Sequence, residues 1–234
     1  MTAGLRAGAV LAMLALSAWM SGCATTVDGT AVRAQDASPQ GQSLLEERDL
    51  DEILLTPDEL DQLLGTLAME INNEIAEMTD DSSDVSDPDC LGTVYTAEEP
   101  VYDGTGFTAV LTRLASEAGD DYEHWVEQTA VVLPSVEAAE TFVDESERTW
   151  KGCAGSTEAV WDGEGWHDWE LMDVVRNDGI VSQVSENADF GDWQCEHALT
   201  AASNVVIEVS ACSAQVTDEA TTLVTRMVEK AADR

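Results

Sequence analysis

Cys195-Glu-His-Ala-Leu-Thr-Ala-Ala-Ser-Asn-Val-Val-Ile-Glu-Val-Ser-Ala-Cys212 is the stretch that decides the fold. Strand-favouring residues flank a turn-like centre at Ala202-Ser203-Asn204, so the segment reads as two consecutive strands, 195–201 and 204–211. A hairpin centred there brings the two terminal cysteines close together. Upstream, 107–115, 122–133, 171–175 and 180–185 have the same character and are separated by Gly, Asp and Asn. Strands at such short spacing favour antiparallel pairing.

Helical signals surround these strands. Thr56 is an N-cap with Pro57 at the first helical position and Glu59 closing a capping box. Leu60, Leu63 and Leu64 form its apolar face, and Gly65 stops it. Residues 67–78 carry Leu67, Ile71 and Ile75 at four-residue spacing and read as a second helix. Ser135 opens a third that reaches Trp150, with Val136, Ala139, Phe142 and Val143 facing inward. Thr217 caps a last one, whose stripe is Leu223, Val224, Met227 and Val228. The expected fold class is α+β: an antiparallel β-sheet packed with helices on one face, forming a single domain over 48–234.

Five cysteines divide unevenly along the chain. Four of them, Cys90, Cys153, Cys195 and Cys212, allow three pairings. The hairpin joins Cys195 to Cys212, which leaves Cys90, just ahead of the sheet, for Cys153, just after the third helix. A four-thiolate metal site is disfavoured because no C-x-x-C pair occurs, so no metal is expected. Cys23 stands apart. It closes a leader in which Arg6 precedes an apolar run, 7–20, shorter than the roughly 20 residues of a membrane-spanning helix. Met20-Ser-Gly-Cys23 resembles the bacterial lipobox, with Met20 where leucine is usual. That resemblance implies cleavage before Cys23 and a diacylglycerol on its thiol. Two acyl chains hold firmly, since each buried methylene contributes about 0.8 kcal/mol. Residues 1–22 are therefore expected to be a lipoprotein signal peptide and 23–47 a flexible tether, small and polar in composition. An ordinary secretory signal with a chance cysteine is the alternative. No later segment is long and apolar enough to span a bilayer, so the expected location is the extracytoplasmic face of the cell membrane.

Formal charge is −37, and only two lysines, Lys151 and Lys230, stand against 47 acidic residues. Repulsion excludes nucleic acid as a partner and keeps the folded part off anionic lipid headgroups. Such a surface suits either high ionic strength or a generally acidic exported proteome. Apolar content of 44% is enough for a real core.

Reactive constellations are missing from the sequence. His124, His167 and His197 are scattered, and there is no G-x-S-x-G, H-E-x-x-H, P-loop or dinucleotide fingerprint. No catalytic residue or cofactor is expected. The acidic run 80–89 lacks the glycine and terminal glutamate of an EF-hand and reads as a solvated loop. Trp161-Asp-Gly-Glu-Gly-Trp166-His167-Asp-Trp169 is the most site-like cluster. Aromatics with interleaved acids suit a cleft for a cationic or sugar-like ligand, although Trp-rich loops also cover core edges. Trp125 and Trp150 read as core residues.

The quoted hairpin resembles the C-terminal signature of the extracellular sensor domain family of mycobacterial serine/threonine protein kinase H, found also in many actinobacterial lipoproteins. That signature runs Cys-x-Arg-Ala-Leu, then Asn-Val-Val-x-Asp-Val, then Cys. Trp150-Lys-Gly-Cys153 matches the family's Trp-x-x-Cys, and 102–108 resembles its Tyr-x-Gly-x-aromatic strand. The likeness covers about residues 50–232. The chain departs from it at His197, where the signature has arginine, and at Glu208, where it has aspartate. The resemblance implies two disulfides, an antiparallel sheet with helices, and a cleft for an unidentified ligand, with His197 joining Trp161, Trp166, His167 and Trp169 as candidate ligand contacts. No kinase domain or transmembrane helix accompanies it in the sequence. The reading is a non-catalytic, lipid-anchored sensor or ligand-binding domain, whose partners are the membrane and an unknown small molecule or envelope component. The alternative is an interaction module with no small-molecule pocket.

Overall fold

The Cys195–Cys212 segment forms the two strands expected of it, and they lie at the centre of a nine-stranded antiparallel sheet. The computed structural model describes residues 44–119, 122–189 and 193–234; the leader, Cys23 and most of the expected tether lie outside the described residues. In chain order the elements are α1 (Glu47–Ile53), α2 (Pro57–Leu64), β1 (Met69–Ile75), a 3-10 turn (Pro88–Cys90), α3 (Leu91–Val94), α4 (Glu99–Tyr102), β2 (Ala109–Glu117) and β3 (His124–Val132). They continue with α5 (Val136–Cys153), β4 (Thr157–Trp161), β5 (Trp166–Leu171), β6 (Val175–Asn177), β7 (Ile180–Asn187), β8 (Gln194–Ala202), β9 (Val205–Ser213) and α6 (Glu219–Ala232). The sheet order is β1-β2-β3-β9-β8-β7-β5-β4, with β6 sharing the outer edge of β7.

The helix ends follow their capping residues. Thr56 Oγ1 accepts the Glu59 N–H at 3.3 Å while the Glu59 carboxylate accepts the Thr56 N–H at 3.0 Å, and Gly65 ends α2 in the left-handed region at φ 75°. Ser135 Oγ accepts the Ala138 N–H at the start of α5. The last helix begins one residue later than expected, with Asp218 and not Thr217 at the N-cap. Its free N–H groups are met from the sheet: Glu196 on β8 accepts from Ala220 at 2.8 Å and Thr221 at 3.3 Å.

Helices cover both faces of the sheet, not one. All nine residues of β9 are buried, so alternate side chains need cover on each side. Val205, Ile207 and Val209 pack with Leu50, Ile53 and Leu60 of α1 and α2 and with Leu223, Val224 and Met227 of α6. Val206 points the other way, into a second cluster with Val131, Leu199, Tyr102 and the Phe142, Val143 and Trp150 of α5. At about 25 cal/mol per Å² of apolar surface removed from water, these two layers are the main source of stability.

Four further expectations change. Residues 69–75 form a strand, not a helix, because a four-residue spacing satisfies a period of 2 as well as 3.6. Register shifts between Ile71 and Asn73, so Met69 and Ile71 face the α6 side while Ile75 faces the other. The Trp161–Trp169 segment is a β-hairpin, β4–β5, and not a loop. The 102–108 motif is not a strand: Tyr102 ends α4, and Gly104 and Gly106 turn the chain at φ 77° and 72° into β2. The strand expected at 171–175 divides, with β5 ending at Leu171 and β6 starting at Val175.

Both expected disulfides are present. Cys195 and Cys212 face each other in register on β8 and β9 with Cα atoms 4.0 Å apart. Cys90–Cys153 ties the 3-10 turn to the end of α5. The expected tether ends in the fold: Leu45 is 4% exposed, and Asn204 in the β8–β9 turn accepts its N–H at 2.8 Å and donates to its carbonyl at 3.1 Å.

Candidate functional site

On the α5 side of the sheet the register lines side chains into cross-strand rows. Val110, Val131, Val206 and Ala201 form the first, which belongs to the core under α5. Thr112, Thr129, Glu208 and Leu199 form the second; Leu114, Glu127, Ser210 and His197 the third; Ser116, Trp125, Cys212 and Cys195 the fourth. Polarity thus rises along one face, from an all-aliphatic row to rows of mixed and polar side chains, where Trp150 at the end of α5 reaches His197. Most of the third and fourth rows line a cleft of about 1420 Å³. The segment from Thr79 to Glu98 and the β4–β5 hairpin supply most of the rest of its lining, together with Tyr122 and Trp193, which meet edge to face at 6.0 Å.

Of the expected contacts, Trp161, His167, Trp169 and His197 line this cleft. Trp166 does not; it is 51% exposed and lies 5.8 Å from Trp161 with its ring tilted by 54°. His167 sits between two carboxylates, with Nε2 3.0 Å from Asp162 and Nδ1 3.3 Å from Asp189. His197 is 3% exposed, with its ring 4.5 Å from that of Trp150 and tilted by 42°, Nδ1 3.3 Å from the Thr93 carbonyl and Nε2 3.4 Å from Glu208. The two positions at which the chain departs from the signature are therefore neighbours. A shorter basic side chain at 197 is met by a longer acid at 208.

Trp125 belongs to the cleft and not to the core, because β3 turns Trp125, Glu127 and Thr129 to one side and Val126 and Ala130 to the other. Trp150 is core as expected. Tyr95, Glu98, Glu127 and Trp193 were not singled out in the sequence. The alternation of aromatic or polar with aliphatic residues along β3 is a signal that could have marked Trp125 and Glu127.

Beneath the cleft the polar groups are linked. Tyr102 donates its hydroxyl to the Glu208 carboxylate, and burial beside that charge raises the phenol well above its ordinary pKa. Thr96 Oγ1 donates to Glu127 at 2.9 Å and lies 2.8 Å from Thr129 Oγ1, which in turn lies 2.8 Å from Thr112 Oγ1. Burial pushes the Glu127 carboxyl up to about 7, helped by the charges of Glu208 and Asp81 and opposed by Thr96 and His197. Glu98 is 1% exposed and accepts from Thr79 Oγ1 at 3.0 Å and the Asp81 N–H at 2.9 Å. Burial, with Asp81 beside it, pushes Glu98 up to about 8. Ala97, just before it, is held at φ 54°, a strained value for a side chain with a Cβ. Among the described residues no group of His, Cys, Asp and Glu is arranged to hold a metal ion, and no helix is long and apolar enough to cross a membrane. The acidic run 80–89 contributes Asp81 and Asp84 to the cleft lining.

A family model described as "PknH-like extracellular domain" matches residues 45–230. The chain belongs to the PknH-like extracellular domain family. It is 36% identical over 200 residues to the serine/threonine-protein kinase PknH of Mycobacterium tuberculosis, and 36% identical over 189 residues to that of Mycobacterium bovis. These alignments take in 86% and 81% of this chain but 32% of each kinase, so the chain spans about a third of the length of those relatives. The crystal structure of the extracellular domain of M. tuberculosis PknH matches with a TM-score of 0.78 and 34% identity, over 83% of this chain and 100% of that one. What this chain shares with PknH is thus the extracellular, non-kinase region. As a PknH-like extracellular domain it has the α+β architecture of its relatives, and the cleft lies within the matched residues.

Proposed function

We propose that this PknH-like domain is a non-catalytic sensor that binds a small molecule in the sheet-side cleft while anchored by a diacylglycerol on Cys23 at the extracytoplasmic face of the membrane. The observation that carries the reading is the cleft itself. It is larger than the roughly 300–1,000 Å³ of ordinary ligand pockets, walled by aromatic side chains, and floored by polar groups held in place by the central strands. An interaction module with no small-molecule pocket would have no use for such a concavity. The two bridged cysteines on its floor are not nucleophiles, and they fix the β8–β9 pair on which His197 and Ser210 stand.

The test is a thermal-shift screen of the chain without residues 1–23 against envelope glycans, lipids and small metabolites. A ligand present at a hundred times its Kd adds about 2.7 kcal/mol of stability. At least one compound should give a saturable rise in melting temperature that Trp125→Leu removes. A screen in which no class gives a saturable shift, or shifts that survive this substitution, would contradict the proposal.

A further inference from the structure

We infer that the cleft selects an organic cation: an ammonium head group carried on an apolar body. The inference rests on the reading of the cleft as a ligand site and names the class of ligand it takes. Its first support is charge without countercharge. Asp81, Asp84, Glu98, Glu127 and Asp162 line the cleft, and none of the lining residues is lysine or arginine. The described lysines and arginines make their ion pairs elsewhere, on α1, α2, α5, α6 and β1. Asp162 pairs with His167, and His197 pairs with Glu208 and acts on Glu127 beside it, while among the described residues no ion pair joins Asp81, Asp84 or Glu98 to a basic side chain. Glu98 is buried and Asp81, Asp84 and Glu127 are partly so, and withdrawing such groups from water disfavours their charged forms unless a cation comes with them.

The second support is independent of charge count. Tyr95, Tyr122, Trp125, Trp161, Trp169 and Trp193 all line the same cleft. Aromatic faces attract a cation within about 6 Å, most strongly when the site is dry, and indole is the best of them. Their flat apolar surfaces also take the hydrocarbon part of such a ligand. A neutral saccharide would stack on the indoles and hydrogen-bond the acidic side chains, but it brings no charge to offset theirs. An anionic ligand would be repelled by them. Within the cleft, burial pushes Glu98 up to about 8 and Glu127 up to about 7, so at neutral pH the first is mostly protonated and the second about half so, and an arriving cation favours their charged forms and displaces protons.

The experiment is isothermal titration of the chain without residues 1–23 with choline and benzyltrimethylammonium at fixed ionic strength. Both core clusters are built from Leu45 onward, so this piece retains the whole folded core. The uncharged isostere of choline, 3,3-dimethylbutan-1-ol, and chitobiose serve as comparisons. The expected result is saturable binding of both cations, with choline tighter than its neutral isostere by about tenfold. Binding should release protons below about pH 8, seen as heats that depend on the ionisation enthalpy of the buffer. Glu127→Gln and Trp161→Leu should each weaken it about tenfold with the fold intact by circular dichroism. Glu140→Gln, on the exposed face of α5, should leave it unchanged. Equal weakening by Glu140→Gln would reduce the effect to general attraction by an acidic surface and overturn the inference. Binding of the alcohol or chitobiose in preference to the cations would also overturn it, while leaving the cleft as a ligand site. Failure of both cations at millimolar concentration overturns it as well.

Discussion

Replacing Glu127 by glutamine should make the domain more stable at slightly alkaline pH and leave it unchanged in acid. The carboxyl of Glu127 loses its proton near 4.5 in the unfolded chain and near 7 in the folded one, because burial under the cleft disfavours the charged form. Between those values the folded state holds more protons than the unfolded state, so stability falls as the pH rises through that window. Each tenfold difference in proton affinity is worth about 1.36 kcal/mol, so Glu127 withdraws up to about 3 kcal/mol by pH 8. Glutamine keeps the acceptor that Thr96 Oγ1 needs and carries no charge to desolvate. The assay is urea denaturation followed by tryptophan fluorescence, at constant ionic strength, from about pH 5 to pH 8. Carboxylates with lowered values, such as Glu59 beside Lys230 and Glu117 beside His124, lose their contributions only below the ordinary carboxylate range and drop out of the comparison. The difference between Glu127→Gln and wild type should be near zero at about pH 5 and rise to as much as about 3 kcal/mol at about pH 8. A difference that stays constant across the range would refute the placement of a desolvated carboxyl with raised proton affinity on the cleft floor.

Asn204→Ala should cost about 3 kcal/mol in the same assay, because the buried amide holds the Leu45 N–H, the Leu45 carbonyl and the Leu133 carbonyl at once; a cost below about 1 kcal/mol would contradict this. Removing Cys90–Cys153, which spans 63 residues, should destabilise by about 4 kcal/mol, and removing Cys195–Cys212, which spans 17, by about 3, on the loop-entropy estimate. The reverse order by urea denaturation of the two double-serine variants would count against a mainly entropic role. Cys23→Ser should abolish incorporation of labelled palmitate and release the chain from membranes; retention of label would place the acyl group elsewhere.

Local chemistry made much of this fold readable. The hairpin, its disulfide and the helices that open at Thr56 and Ser135 depend on neighbours a few residues away, where capping and turn chemistry act. The strand at Met69–Ile75 was hidden because its apolar residues fit either period and only the edge of β2 decides between them. Helices on both faces follow from β9 being buried throughout, which a short apolar run does not reveal by itself. The cleft was half legible. Trp161, His167 and Trp169 announce themselves as a cluster, whereas Trp125, Glu127, Glu98 and Trp193 are ordinary in sequence and meet only through sheet register and the long 79–98 segment. The departures at His197 and Glu208 gained meaning only when the strands placed them 3.4 Å apart.

The most direct test of the account is a crystal structure of the chain soaked with benzyltrimethylammonium. The account predicts density in the cleft, with the ammonium over the Trp125 or Trp161 ring and within reach of the Glu127 carboxyl. Density confined to other surfaces, or a cleft that stays empty at saturating probe, would contradict it.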